Sequence, residues 1–215
     1  MMRKLAISLA LASTALATPA LARDDAWYVG VEAGAMVLED LTYDVNGVQN
    51  VQTMDSKVGS DFDGVVGYDF GGFRLEAEVG YKSAVNKSVQ GTAATRAGGA
   101  LVAASSTGVV FNRPAGTYDY VGGKTTALSF MVNAMVDFGA DDSIQGFLGG
   151  GVGVARVKAD DYALNTFGSY LDDSDTVFAY QALAGVRAPL TENLDVTLKY
   201  RFFNAPKVRL VDLVG

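Results

Sequence analysis

Between Asp61 and Lys82 the chain reads DFDGVVGYDFGGFRLEAEVGYK, two runs of alternating residues that meet at Gly71-Gly72. In the second run Phe73, Leu75, Ala77, Val79 and Tyr81 fall on one side, and Arg74, Glu76, Glu78, Gly80 and Lys82 on the other. Successive side chains of a strand face opposite ways, so this is one apolar face and one charged face. The first run sets Phe62, Gly64, Val66, Tyr68 and Phe70 against Asp63, Val65, Gly67 and Asp69. A Gly-Gly pair makes a two-residue hairpin turn, because glycine reaches positive φ without a steric penalty. Such a hairpin belongs either to a soluble sheet that hides its apolar face in a core, or to a membrane barrel that turns it to lipid.

The same period recurs along the chain. Trp27–Leu38 puts Trp27, Val29, Val31, Ala33, Ala35 and Val37 opposite Tyr28, Gly30, Glu32, Gly34 and Met36. Further strands are expected over Thr126–Phe138, Ile144–Lys158, Thr176–Ala188 and Leu194–Phe203. In the last of these Leu194, Val196, Leu198, Tyr200 and Phe202 oppose Asp195, Thr197, Lys199 and Arg201. Asn46-Gly47 reads as a turn within a polar segment, and Leu101-Val102 and Val109–Phe111 as extensions of neighbouring strands.

The N-terminus carries Arg3 and Lys4, an apolar run from Leu5 to Ala17, and then Ala20-Leu21-Ala22. A basic start, an apolar centre and a small-x-small end describe an export leader, so residues 1–22 are expected to be a signal peptide cut before Arg23. The run is shorter than the roughly 20 residues a spanning helix needs. Residues 23–215 are then expected to form one barrel domain.

Whole chemistries are excluded. There is no histidine and no cysteine, which removes Ser-His catalysis, thiol nucleophiles and most zinc sites. A formal charge of −7 argues against nucleic acid as a partner. No cofactor is implied.

Three features favour the membrane reading. The connectors run long (39–57), short (71–72), long (83–124), short (139–143), moderate (159–175) and short (189–193). Outer-membrane barrels keep short turns on the periplasmic side and long loops outside. The strands reach the roughly 9–11 residues that cross a bilayer at a tilt. Aromatic residues gather at strand ends, with Trp27, Phe70, Phe73, Tyr81, Phe138, Tyr200 and Phe202 as candidate interfacial girdles. Register follows from energetics, because an Arg or Lys facing lipid at the midplane costs roughly 2–4 kcal/mol. The charged faces therefore look inward, where Glu32, Asp63, Glu76, Glu78 and Asp137 can pair with Arg74, Lys82, Arg187, Lys199 and Arg201.

WYVGVEAGA after the leader, FRLEAEVGYK and LDVTLKYRFF resemble the N-terminal barrel of the outer-membrane protein A family and related small porin-like barrels of Gram-negative bacteria. The resemblance covers about residues 24–211. It implies an all-β fold, an antiparallel up-and-down transmembrane barrel of eight strands with a plugged or nearly plugged lumen. Seven strands are counted here, so the chain is expected to stop before the last strand, with Leu210–Gly215 in the fourth outer loop. Family members often carry a periplasmic peptidoglycan-binding domain after the barrel, and none is present in these residues.

The expected function is structural: an outer-membrane barrel with long extracellular loops, outer-membrane lipid as its surroundings, surface ligands as possible loop partners, and a monomeric state. A small-solute or ion channel is the competing reading, and a soluble secreted ligand-binding barrel a third. The aspartates Asp160, Asp161, Asp172, Asp173 and Asp175 invite comparison with a calcium loop. They lack the Asp-x-Asp-x-Asp-Gly spacing and closing glutamate, and read as a solvated loop. Glu76 and Glu78 share a face as glycosidase carboxylates do, but so does any polar strand face, and no enzyme is expected.

Overall fold

A computed structural model describes residues 3–17, 25–39, 41–45, 48–91, 116–118, 121–140, 143–164, 169–191 and 193–210. The strands are β1 (Arg3–Ala17), β2 (Ala26–Leu38), β3 (Leu41–Val45), β4 (Val48–Ser56), β5 (Gly59–Asp69) and β6 (Phe73–Gly91). They continue as β7 (Gly116–Tyr118), β8 (Val121–Phe138), β9 (Gln145–Leu164), β10 (Ser169–Thr191) and β11 (Leu194–Leu210).

Eight of these strands close on themselves. The order β6-β5-β2-β1-β11-β10-β9-β8 returns to β6, and every pairing is antiparallel. Closure leaves no sheet edge, which is what an apolar medium demands of β structure. Outside the ring, β6 runs on past the barrel wall and pairs with β4 and β7, and β3 pairs with β4.

The Gly71-Gly72 turn joins β5 to β6 as the sequence suggests. Gly71 has φ 92°, the Phe70 amide donates to the Phe73 carbonyl, and the Gly71 amide donates to Asp69 Oδ1 at 2.9 Å. This turn shares one end of the barrel with the β8–β9 and β10–β11 connections, called here the turn end. The opposite, loop end carries the paired strands β3 and β4.

Two sequence expectations change. The connectors at the loop end are shorter than they read. Residues 41–45 and 48–56 are strands, β6 continues through Gly91, β9 continues through Leu164, and β10 begins at Ser169. The pattern of apolar residues outside and charged residues inside is lost there, while the ladder still supplies the backbone bonds. The Asn46-Gly47, Leu101-Val102 and Val109–Phe111 readings lie outside the described residues, as do residues 211–215.

The second change concerns the N-terminus. Seven ring strands were expected after the leader, and Arg3–Ala17 occupies the eighth position, between β2 and β11. Leu9 pairs with Leu38 on one side and with Phe203 on the other. An odd-numbered ring would leave two edges unpaired or force a parallel pair. The first proline of the chain is Pro19, so this run can offer bonds along both edges.

The barrel is inside-out relative to a soluble protein. Leu75, Val79, Val132, Leu198 and Tyr200 are exposed at 40–61 %, whereas Glu78 and Lys199 are buried at 2 %. On β9 the outward residues include Leu148, Val152 and Val154, and the inward ones Phe147, Ala155 and Val157.

Candidate functional site: the barrel lumen

Alternation on each strand delivers the charged side chains into one enclosed space, where they form two ionic layers. Near the turn end, Arg74 of β6 grips Asp137 of β8 with two bonds, Nε to Oδ2 at 2.7 Å and Nη2 to Oδ1 at 2.8 Å. Its guanidinium also lies 3.8 Å from Glu76 and 5.1 Å from the centre of the Phe147 ring. The Tyr28 hydroxyl donates to Glu76 Oε1 at 2.7 Å. In the same layer Arg187 of β10 bonds Asp69 at 3.0 Å and Gln145 Oε1 at 2.6 Å, with Asp195 3.9 Å away.

The middle layer is centred on Arg201 of β11. Its guanidinium reaches Glu32 of β2 at 2.9 Å, Asp61 and Asp63 of β5 at 2.9 and 2.6 Å, and Glu78 of β6 at 3.2 Å. Lys82 lies between Asp61 and Asp63 at 3.0 and 3.1 Å, and over the Phe203 ring at 5.1 Å. Lys199 pairs with Glu32 and lies 3.8 Å from Glu76. Asn133 donates to Glu78 at 2.9 Å, and Gln181 donates to Asn133 at 2.7 Å. Planar, forked Arg201 suits this position, since it can bond several carboxylates at once.

All ten charges expected in the lumen, Glu32, Asp63, Arg74, Glu76, Glu78, Lys82, Asp137, Arg187, Lys199 and Arg201, lie inside the ring and within ion-pair distance of one another or of Asp61, Asp69 or Asp195. Those last three carboxylates are not among the ten, although Asp69 and Asp195 fall on the charged faces read from the sequence and Asp61 has the same parity as Asp63. Nor are Tyr28, Asn133, Gln145 and Gln181, neutral partners that periodicity does not distinguish from other polar residues.

A third layer has no sequence precedent in that reading. Toward the loop end the interior becomes apolar, packed with Met36, Leu38, Met131, Tyr162, Leu171, Phe203, Val208 and Leu210. The void where this cap meets Lys82 and Phe203 measures about 10 Å³. That is about the least space a water molecule needs. Alternation hides such a cap in two ways: Leu38, Met131 and Phe203 have apolar outward neighbours too, and at Tyr162, Leu171, Val208 and Leu210 the pattern inverts, with Asp161, Asp172 and Arg209 outside and apolar residues inside.

On the outside, Trp27, Tyr68, Phe70 and Phe73 form a continuous aromatic cluster at the turn end, with ring centres 5.4, 4.6 and 4.9 Å apart in succession. Phe138 is exposed at the same end. Tyr81 lies farther toward the loop end, and Tyr200 and Phe202 lie midway along β11, Phe202 half-buried.

At the loop-end rim the carboxylates of Asp160, Asp161 and Asp172 approach within 4.8 Å of one another. Positive charge is already supplied there by Lys158, 2.7 Å from Asp160 and 3.1 Å from Asp172, and by Lys124, 3.5 Å from Asp160. The hydrogen bond from Lys158 holds the Asp160 carboxyl below the usual range, and the bonds to Asp160 and Asp172 push the Lys158 ammonium up.

Outward apolar residues around a closed polar interior are the pattern of a membrane barrel. The family model described as outer membrane protein beta-barrel domain matches residues 8–209. The chain belongs to that family. No curated protein and no solved structure matches it at a significant level. The membership makes the chain an outer-membrane barrel with membrane lipid as its surroundings, and the match takes in most of β1.

Proposed function

We propose that this barrel is a structural component of the outer membrane, closed to solutes, contributing to membrane integrity and presenting its loop end to surface ligands. The observation that carries the reading is the stacked interior: two ion-paired layers beneath an apolar cap. A conducting lumen needs a continuous wet path, and the cap interrupts it. An eight-stranded ring is just wide enough for side chains to fill. The protein acts as a monomer and carries out no catalysis, in keeping with a chain without histidine or cysteine.

Residues 1–22 serve first as the export leader in this reading. Cleavage at that point would vacate the place of Arg3–Ala17 between β2 and β11. N-terminal sequencing of protein recovered from the outer-membrane fraction should begin at Arg23, and a start ahead of Leu5 would mean that β1 is retained.

The test of closure is conductance of the purified protein in planar bilayers. Absence of steady openings is expected. Reproducible openings that vanish on changing Glu78 or Arg201 would establish the channel instead.

A further inference from the structure

Among the described residues, basic side chains on the outer surface lie at one end of the barrel only. Among the described residues, Arg74, Lys82, Arg187, Lys199 and Arg201 are inside. Lys57, Lys87, Lys124, Arg156, Lys158 and Arg209 are outside, and all six sit at the loop end. The turn end presents Trp27, Phe70, Phe73, Phe138, Ile144 and Leu190 instead.

Three of these bases share one face. The register across β8, β9 and β10 aligns Leu128 with Arg156 and Thr176, then Thr126 with Lys158 and Ser174, then Lys124 with Asp160. On the rung of Arg156 the exposed apolar surface is down to Leu128, and one rung below it spans all three strands, with Phe130, Val154 and Phe178. Arg156 is therefore the first charge above the belt.

Its guanidinium differs from every interior one. Nε and Nη2 both reach the hydroxyl of Ser174, at 3.3 and 3.1 Å, and among the described residues no carboxylate pairs with it. Thr126 and Thr176 add hydroxyls on the adjoining strands, and Lys158 sits one rung farther out. The acids Asp160 and Asp172 lie beyond that, bonded to Lys158 and so steadying it.

We propose that this face of β8, β9 and β10, centred on Arg156, binds the phosphate of an anionic lipid headgroup in the outer leaflet. A forked guanidinium bonds two phosphate oxygens at once, and hydroxyls supply further donors. In barrels of this class the long-loop end faces outward, so the rung above the belt lies at outer-leaflet headgroup depth. A lipid suits the site better than free phosphate, because its acyl chains run down Phe130, Val154 and Phe178 while the phosphate meets Arg156. The proposal rests on the outer-membrane reading.

The full chain, folded in a neutral detergent, is to be examined by native mass spectrometry with phosphatidic acid and phosphatidylcholine of the same acyl chains. The wild type should retain phosphatidic acid several-fold over phosphatidylcholine. Arg156→Gln should lower that preference to near unity, Arg156→Lys should keep part of it, and Lys87→Gln, at a lysine held by Asp55, should leave it unchanged. Excess glycerol phosphate should not compete. Equal retention by Arg156→Gln, or displacement by glycerol phosphate, would overturn the site. Heat-modifiable gel migration of each variant confirms folding, and the double variant Lys124→Gln/Lys158→Gln gives a second route should Arg156→Gln not fold. Equal binding of both lipids removes this site alone, whereas failure to bind either, with the protein left in the aqueous fraction, removes the membrane reading itself.

Discussion

Arg201 of β11 and Asp63 of β5 meet across the lumen, Nη1 to Oδ2 at 2.6 Å, although 138 residues separate them in the chain. The same guanidinium holds Glu32, Asp61 and Glu78, so one side chain ties β2, β5, β6 and β11 together. Removing a member of a buried ion pair leaves its partners uncompensated, at a cost of about 3–5 kcal/mol. Arg201→Met should destabilise the folded barrel by about that much. Arg201→Lys should fall between the two, because an ammonium cannot fork. Urea unfolding from phospholipid vesicles measures both, and a loss in Arg201→Met no larger than about 1 kcal/mol would mean that the layer is wet and screened.

Two glycines on neighbouring strands should respond in opposite ways. A Cβ built on Gly80 meets the Asp63 carboxylate, and lies 2.8 Å from Lys82 Nζ and 2.9 Å from Ser129 Oγ. A Cβ on Gly64 meets nothing within 4 Å, since that residue faces outward. Gly80→Val should therefore break the Lys82–Asp63 contact and destabilise by a few kcal/mol, on the order of 1–3 as for overpacking. Gly64→Val should be neutral or mildly stabilising, through lost freedom of the unfolded chain and added apolar surface. The same vesicle unfolding assay compares them, and equal losses would place Gly64 against a neighbour.

These outcomes bear on what the amino-acid order reveals. The faces of β5, β6 and β11 are legible residue by residue, because lipid outside and ions inside give maximal contrast at period two. On β9 the contrast collapses: Gly149, Gly150, Gly151 and Gly153 carry no side chain to assign, and only neighbours on β8 and β10 determine that Phe147 looks in and Leu148 out. The apolar cap was hidden for the converse reason, since Phe202 and Phe203 look alike in sequence though only Phe203 points inward. Arg156 and Lys158 share the outward parity of Val154, but nothing local says that the apolar belt has ended there. That boundary emerges only when three strands are in register. The site partners Asp61 and Asp195 were within reach of parity alone.

Val132 on β8 is exposed at 61 % and lies near the middle of its strand's apolar face. In water an exposed Val→Arg change is worth within about 0.5 kcal/mol. Facing lipid at mid-depth it costs about 2–4 kcal/mol. Val132→Arg should thus lower stability in vesicles by the larger figure, and Thr126→Arg, above the belt, by little. Equal small effects at both positions would contradict a bilayer-spanning face.

The two seals of the lumen should fail separately and then together. Phe203 is buried at 1 % and lies where the apolar cap meets the Lys82 ammonium. Phe203→Ala should cost about 3–5 kcal/mol as a large cavity in a packed interior. It should not by itself conduct, because Arg201, Glu78, Gln181 and Asn133 still bridge the space beneath it. Arg201→Met alone should stay silent for the opposite reason, with the cap intact above it. The double variant opens both levels and should show brief openings in a planar bilayer, provided gel migration confirms that it has folded. Conductance from Phe203→Ala alone would mean that the ionic layers are permeable and the cap is the gate. Silence of a folded double variant would move the closure to the Arg74–Asp137 and Arg187–Asp69 layer near the turn end.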